Sequence, residues 1–408
     1  MRSNQVKKGR ASILMNAASW NTIPGFMSLA VWCSSVLVTR AQTWTLTSAP
    51  STNWSAVASS ADGAKLIAAV YGGGIYISTN SGTTWAPTPS PVTNWTLAAC
   101  SGDGAVLLAA VQGRVFLSGN GGGAWADIGA PEYTWLTLAS SADGRTLLAG
   151  SGEFMTGGVV LLSTNRGATW AVADVVMLYW YAACLSADGS RIIVLGNTGL
   201  GHLGTGAVAN SEDGGASWAS SNGYQWPLWI SGATSADGRT LVGGAPYGVF
   251  ISRDYGTNWQ ESALPSHYWH AITCSADGTR IAGIADESGA IYASADSGVT
   301  WIEYSPTNLA WSSIASSADG HKLVAAVNGR GIYTLQTTPT PVLDILPSGT
   351  NVFLSWTIPS QPFLLQQSSD LKNWSAVGTT PVLNYTNLHY EVNVLGPTSS
   401  TFFRLASQ

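Results

Sequence analysis

An all-β fold is what this sequence predicts beyond its first 41 residues, on three observations. Charged residues make up 10% of the 408, against roughly 25% in an average soluble protein, while Gly reaches 46 and Trp 19. The interior must therefore be built from small and aromatic side chains. No apolar stripe of helical period and useful length follows residue 41; runs such as Leu66–Val70 and Val159–Leu162 are short and end at Gly or polar turns, as buried strands do. The third observation is a repeat. A Ser-x-Asp-Gly turn places its Asp at Asp62, Asp103, Asp143, Asp188, Asp237, Asp277 and Asp319, at intervals of 41, 40, 45, 49, 40 and 42 residues. Eight residues before each stands a tryptophan: Trp54, Trp95, Trp135, Trp180, Trp229, Trp269 and Trp311.

Each unit reads as a first strand starting at the Trp, the Asp-Gly turn, a second strand such as Leu66–Val70, a loop, and a third strand such as Ile75–Ser78. A second turn follows, Ser78-Thr-Asn80-Ser-Gly82-Thr-Thr-Trp85 in the first unit. It recurs around Asn120, Asn165, Asp213, Asp254 and Asp296 and closes at Trp125, Trp170, Trp218, Trp259 and Trp301. A short Asp or Asn side chain accepts backbone N–H bonds inside such a hairpin. Seven units of four strands predict a seven-bladed β-propeller over residues 42–336. The seventh unit stops at Gly331-Ile-Tyr333-Thr-Leu335 with no second turn, whereas Gln42-Thr43-Trp44-Thr-Leu-Thr47 looks like a fourth strand without a blade. This N-terminal strand is expected to complete the last blade and close the ring, leaving only short protected edges.

The second turn resembles the Asp-box, or BNR, repeat Ser-x-Asp-x-Gly-x-x-Trp of propellers that include sialidases, sortilin-type receptors, some xyloglucan hydrolases and photosystem assembly factors. The resemblance spans about residues 43–335. It implies the fold and a stabilising role for the box at the periphery, but not an activity, because one fold hosts many functions. A sialidase would bring an arginine cluster and a Tyr–Glu pair. Here Arg145, Arg166, Arg191, Arg239, Arg253 and Arg280 fall in or beside the structural turns, and only Arg114 and Arg330 map to the opposite face.

In a four-stranded blade both kinds of tight turn share one face, and the second-to-third-strand loops and the connections between blades share the other. Length varies mostly on that loop face: blade three carries Ser151-Gly-Glu153-Phe154-Met155-Thr-Gly-Gly158, and blade four runs from Gly196 through His202 to Gly206. Binding residues concentrate on long loops held by a rigid scaffold. A ligand is therefore expected near blades three and four, on Phe154, Met155, His202, Tyr224, Trp226 and Tyr247, with Tyr71, Tyr133, Tyr179, His267 and Tyr268 adding aromatic surface. Flat rings with few charges suit a carbohydrate or an extracellular protein, and a binding or scaffold role is the primary reading. A glycoside hydrolase is the alternative, drawing on Glu132, Glu153, Asp174, Glu261, Asp286, Glu287 or Glu303; a structural assembly factor is the third. Glycoside hydrolysis needs two carboxyl groups about 5–10 Å apart, and nothing in the spacing pairs any two, so no catalytic residue is assigned. His267, His270 and His202 match no metal-ligand spacing, so neither metal nor cofactor is expected.

Arg2, Lys7, Lys8 and Arg10 precede an apolar run from about Phe26 to Val38 and the small-residue site Thr39-Arg40-Ala41, the pattern of a signal peptide over residues 1–41. It predicts a secreted or cell-surface protein with no membrane insertion after cleavage; the run falls short of the about 20 residues a spanning helix needs. Five of the 17 basic residues and none of the 22 acidic ones lie in this leader, so the remainder carries a net charge of −10 and offers nothing to nucleic acid. Cys100, Cys184 and Cys274 precede the same turn in different units and are expected to act as small buried hydrophobes. Thr337-Thr-Pro-Thr-Pro341 reads as a stiff linker. Residues 342–408 read as a small β-sandwich with strands at Val352–Trp356, Phe363–Gln367, Tyr390–Val394 and Phe402–Leu405. Leu365–Trp374 together with Phe402–Leu405 resembles the fibronectin-like modules that end many secreted bacterial proteins, which implies adhesion or surface retention. Oligomeric state is not legible in the chain.

Overall fold

The computed structural model describes residues 44–153, 157–176, 178–199, 205–222, 227–264, 266–285, 289–304, 309–337, 341–348, 351–359, 362–395 and 401–407. The leader and the centre of the linker lie outside them. Every regular element among the described residues is a strand. Seven antiparallel four-stranded units follow one another. The first comprises Thr52–Ser59, Leu66–Gly73, Ile75–Ser78 and Ala86–Pro87. The other innermost strands are Leu97–Cys100, Trp135–Ser140, Tyr179–Leu185, Ser231–Thr234, Trp269–Cys274 and Trp311–Ser316. Each innermost strand packs beside the next, and the seventh returns to the first.

The hydrophobic core lies between blades rather than within them. One cluster joins Ala56, Ile67, Ala69 and Ile75 of blade one to Trp95, Leu107, Ala109 and Phe116 of blade two. The second strand of a blade is therefore covered on both faces, which explains why Leu66–Val70 and Leu107–Val111 are uniformly apolar instead of alternating. The seven repeat tryptophans fill the widening gap between blades and are between 0% and 5% exposed. Nearer the axis the innermost strands hold many small residues, such as Ala98 and Ala99, Ala182 and Ala183, and Gly232 and Ala233.

The Ser-x-Asp-Gly turn is built the same way seven times. In blade one the Ser60 hydroxyl donates to Asp62 Oδ1 at 2.6 Å, that oxygen accepts the Ala64 N–H at 2.9 Å, and Ser60 Oγ accepts the Lys65 N–H at 3.0 Å. The serines are at most 2% exposed, so the turn satisfies a buried hydroxyl and two backbone donors together. The turns then join each other. Backbone N–H groups of Ala61, Gly102, Ala142, Ala187, Ala236, Ala276 and Ala318 each donate to the carbonyl of the next residue in that series, and Ala318 donates back to Ala61, at 2.7–2.8 Å throughout. Seven bonds make a closed circle. Outside it, the side chain three residues after each Asp rests on the turn glycine of the following blade, as Lys65 does on Gly104, Val106 on Gly144 and Lys322 on Gly63.

The ring closes as the sequence led us to expect. Thr45–Leu46 pairs with the third strand of blade seven, Thr45 opposite Thr334 and Leu46 opposite Tyr333, and the Thr47 N–H donates to Ile332 at 2.9 Å. Trp44 packs on Trp311 with ring centroids 5.6 Å apart. Cys100, Cys184 and Cys274 are free thiols; burial pushes the first two up to about 12 and the third higher still, which makes all three poor nucleophiles.

The C-terminal module has two sheets. One holds Asp344–Ser348, Asn351–Thr357, His389–Leu395 and Val382–Asn384, the other Ser375–Ala376, Phe363–Ser368 and Phe402–Ser407. Between them lie Leu354, Trp356, Leu365, Val392, Phe403 and Leu405. All four strands expected from the sequence are present. Between its strands Phe363–Ser368 and Ser375–Ala376 this module has a turn of the same chemistry as the propeller's box: Asp370 accepts the Lys372 and Asn373 N–H groups, and Arg404 stacks on Trp374 at 4.2 Å.

Two expectations follow. Gly278 has φ +69°, and a Cβ there would stand 2.8 Å from the branched Cβ of Thr240, which cannot swing away. Gly278→Ala should lose about 1–2 kcal/mol to the left-handed backbone and about 1–3 kcal/mol more to overpacking; an unchanged denaturant midpoint would refute this. Removing residues 42–48 should lower the melting temperature and expand the molecule in solution scattering, and a truncated chain as stable and compact as the original would show that the strand is dispensable.

Candidate ligand-binding mouth

The innermost strands share an irregularity at their loop-face ends. Immediately after the repeat Trp the pairing with the second strand slips by one residue, between Trp54 and Ala56, Trp135 and Thr137, Trp180 and Ala182, Trp269 and Ala271, and Trp311 and Ser313. In blades two and five the same bulge shows in the hydrogen bonds. Thr96 N–H donates to Ala110 O at 2.9 Å although Leu97 is the register partner of Ala110, and Ile230 N–H donates to Gly244 O although Ser231 is the partner of Gly244. A bulge leaves one residue unpaired and re-aims its side chain. The Trp is thereby committed to the gap between blades, and the next residue is left over at the rim of the axial opening.

Those residues are Ser55, Thr96, Leu136, Tyr181, Ile230, His270 and Ser312, none of them fully buried. They are arranged in two arcs. Blades six, seven, one and two contribute His270, Ser312, Ser55 and Thr96, which are polar; blades three, four and five contribute Leu136, Tyr181 and Ile230, which are apolar or aromatic. His270 Nε2 donates to the Ser312 carbonyl at 3.0 Å and fixes the imidazole across the junction of blades six and seven. Burial, followed by the nearby phenols of Tyr268 and Tyr179, raises the Tyr181 hydroxyl, which therefore stays protonated and able to donate at neutral pH. The Ser312 hydroxyl donates to the Ala326 carbonyl at 3.3 Å rather than to His270, so these two side chains do not form a nucleophile–base pair. What the opening offers is hydrogen bonding on one side and apolar contact on the other, with no fixed charge among the seven.

The loop-face residues read from the sequence have divided fates. Tyr247, between Leu241–Gly244 and Val249–Ser252, is 69% exposed there, and Tyr71 is 53% exposed. Tyr179 is buried; Tyr133 packs edge-on against Trp135 at 5.8 Å, and His267 lies beside Trp269 and Tyr292, so these three serve blade packing. Phe154, Met155, His202, Tyr224 and Trp226 lie outside the described residues, as do Asp286 and Glu287. The bases of both long loops are firm: Gly158 N–H donates to Leu178 O at 2.8 Å, and Thr198 and Thr205 bond reciprocally. Glu153 accepts the Thr134 N–H and Glu303 accepts the Tyr292 hydroxyl. The bulge ring itself was not singled out from the sequence. Its signal is the slot after an invariant Trp, which varies through Ser, Thr, Leu, Tyr, Ile, His and Ser.

No protein-family model matches the chain, and no curated protein matches it in sequence. Solved structures do. YCF48 from Cyanidioschyzon merolae is 12% identical with a TM-score of 0.55, covering 72% of this chain and 98% of that one. A structure of YCF48 bound to D1 peptide is 12% identical with a TM-score of 0.54, over 74% and 98%. The β-propeller domain of Cps50 (Swd1) from Myceliophteria thermophila is 15% identical with a TM-score of 0.57, over 72% and 100%. At such identities the likeness is one of fold, and by fold the chain is a β-propeller.

Proposed function

We propose that this chain is a secreted binding propeller that holds an extended segment of another polypeptide across the axial mouth of its loop face. The observation that carries the reading is the division of the bulge ring into a polar and an apolar arc. An extended peptide alternates its side chains and keeps backbone donors and acceptors along its edge. Laid across the mouth, its backbone N–H groups meet the hydroxyl oxygens of Ser55, Thr96 and Ser312, whose protons go to the Ala69, Ala110 and Ala326 carbonyls, and its larger side chains meet Leu136, Tyr181 and Ile230. That a propeller of this shape has been solved with a peptide supports the same use of the fold. The long loops of blades three and four, with Phe154, Met155 and His202, and the connection after blade four, with Tyr224 and Trp226, belong to the blades of the apolar arc and would set preference beyond it. A carbohydrate ligand is the second reading; it draws on the exposed rings of Tyr71 and Tyr247, in blades one and five.

Selection of a random peptide display library against the full chain tests this. Peptides so obtained should lose affinity by about tenfold or more, equivalent to about 1.4 kcal/mol, on Tyr181→Ala and on Ile230→Ser. Trimming 152–157 and 199–205 should change which peptides are selected. Binders indifferent to both substitutions would place the site elsewhere, and a chain that selects no peptide but retains glycans on an array would favour the carbohydrate reading.

A further inference from the structure

The circle of backbone bonds has one junction unlike the others. Six successive pairs of blades are joined directly by chain, whereas blade seven meets blade one through the bond from Ala318 N–H to Ala61 O at 2.7 Å, the two-residue pairing of Thr45–Leu46, and Thr52 and Asn53 opposite Arg330 and Asn328. The seam is packed by Trp54, Val57, Leu66 and Ala68 of blade one against Val324, Ala326 and Ile332 of blade seven. It is also where the C-terminal module sits. Ile358, 5% exposed, packs on Ala61 and Ala318 themselves, and Ala276, Leu383, Leu388 and Tyr390 surround that contact. The neighbouring Tyr385 phenol is raised by burial and then by the Asp103 carboxylate, with Tyr390 and Asp62 contributing less, which sets it beside the turns of blades one and two.

The docking surface of the module is preorganised. Ile358 N–H donates to Leu388 O at 2.8 Å, and Glu391 Oε1 accepts from the side-chain amides of Asn384 and Asn387 at 3.0 and 2.7 Å, tying both ends of the turn that presents Tyr385 and Leu388. These groups are ordered by the module itself, so little freedom remains to be lost when the turn meets the ring.

We propose that the C-terminal module is a clasp on the closure seam: Ile358, backed by Leu383 and Leu388, covers the bond between Ala318 and Ala61 and holds blade seven to blade one. An apolar cover excludes water from that bond and makes its opening expose the alanines and Ile358 together. The role is separate from the peptide reading, because the clasp lies on the turn face and the mouth on the loop face. It also gives the module a task other than surface adhesion.

Hydrogen exchange of the full-length protein tests it, with Ile358→Asp and Leu383→Asp made separately. Peptides containing Thr45–Leu46 and Ile332–Gln336 should exchange at least about tenfold faster in either variant, while Ile192–Asn197 of blade four keeps its protection. Joining Leu46→Cys to Tyr333→Cys, a pair whose Cα atoms lie at disulfide distance in an antiparallel ladder, should cancel the effect at the seam. Unchanged exchange at the seam in both variants would overturn the clasp. So would loss of protection spread evenly over all blades, or an effect that persists with the seam cross-linked.

Discussion

The circle of seven backbone hydrogen bonds at the turn face is the constraint on which the rest of the molecule depends. Each bond links a residue just before an Asp-Gly turn to its counterpart in the next blade, so every turn must reach the axis at the same height and angle. That requirement explains the sameness of the turns. A buried Ser, an Asp accepting from backbone and hydroxyl, and a Gly at φ 63–73° form one rigid unit, and an extra residue inside it would displace the ring donor. The intervals of 45 and 49 residues are accommodated on the other face, where the described residues form no such circle and surface insertions cost little.

The same construction determines what the turn-face side chains are free to do. Box oxygens of the kind that serve acid chemistry or cation binding are already engaged. Asp213 and Asp296 accept from the hydroxyls and backbone of Ser217 and Thr300, which hold both carboxyls down to about 2. Asn80, Asn120 and Asn165 accept the equivalent backbone N–H without any charge, so the box requires an acceptor of the right length rather than an acid. Basic groups are used in the same way: Lys65 Nζ donates to the Asp103 carbonyl at 2.7 Å and Arg253 to the Ser297 carbonyl at 2.6 Å.

The fold was legible in the sequence because its elements are fixed by local chemistry that repeats. The Trp-to-Asp spacing, the Gly after each Asp and the missing fourth strand of blade seven each specify an element without reference to distant residues. The Thr45–Leu46 closure was readable for the same reason, as an orphan strand and an incomplete blade. The mouth was less legible. A bulge depends on how two strands register, which a single strand's residue order does not state, so Tyr181 and Ile230 read as ordinary strand residues beside the more conspicuous loop aromatics. Of those aromatics, Tyr133, Tyr179 and His267 pack into the blades; ring size and apolarity are the same whether a tyrosine fills a gap or faces a ligand, and only the structure separates the two. The contact of Ile358 with Ala61 and Ala318 joins residues almost three hundred positions apart and had no local signature at all.

The two ends of the axis therefore carry opposite physical characters from one repeated strand. At the turn end, small residues and backbone bonds draw the blades together until only alanine and glycine fit, and an apolar residue of the module covers the last junction. At the loop end the bulge turns one residue per blade away from packing, which frees its identity from the demands of the core. Seven such positions can change without disturbing the tryptophans beside them or the circle at the far end. Residue identity can be rewritten there at little cost in stability, because what varies lies at the loop-face end of each strand while the bonds that define the ring lie at its other end.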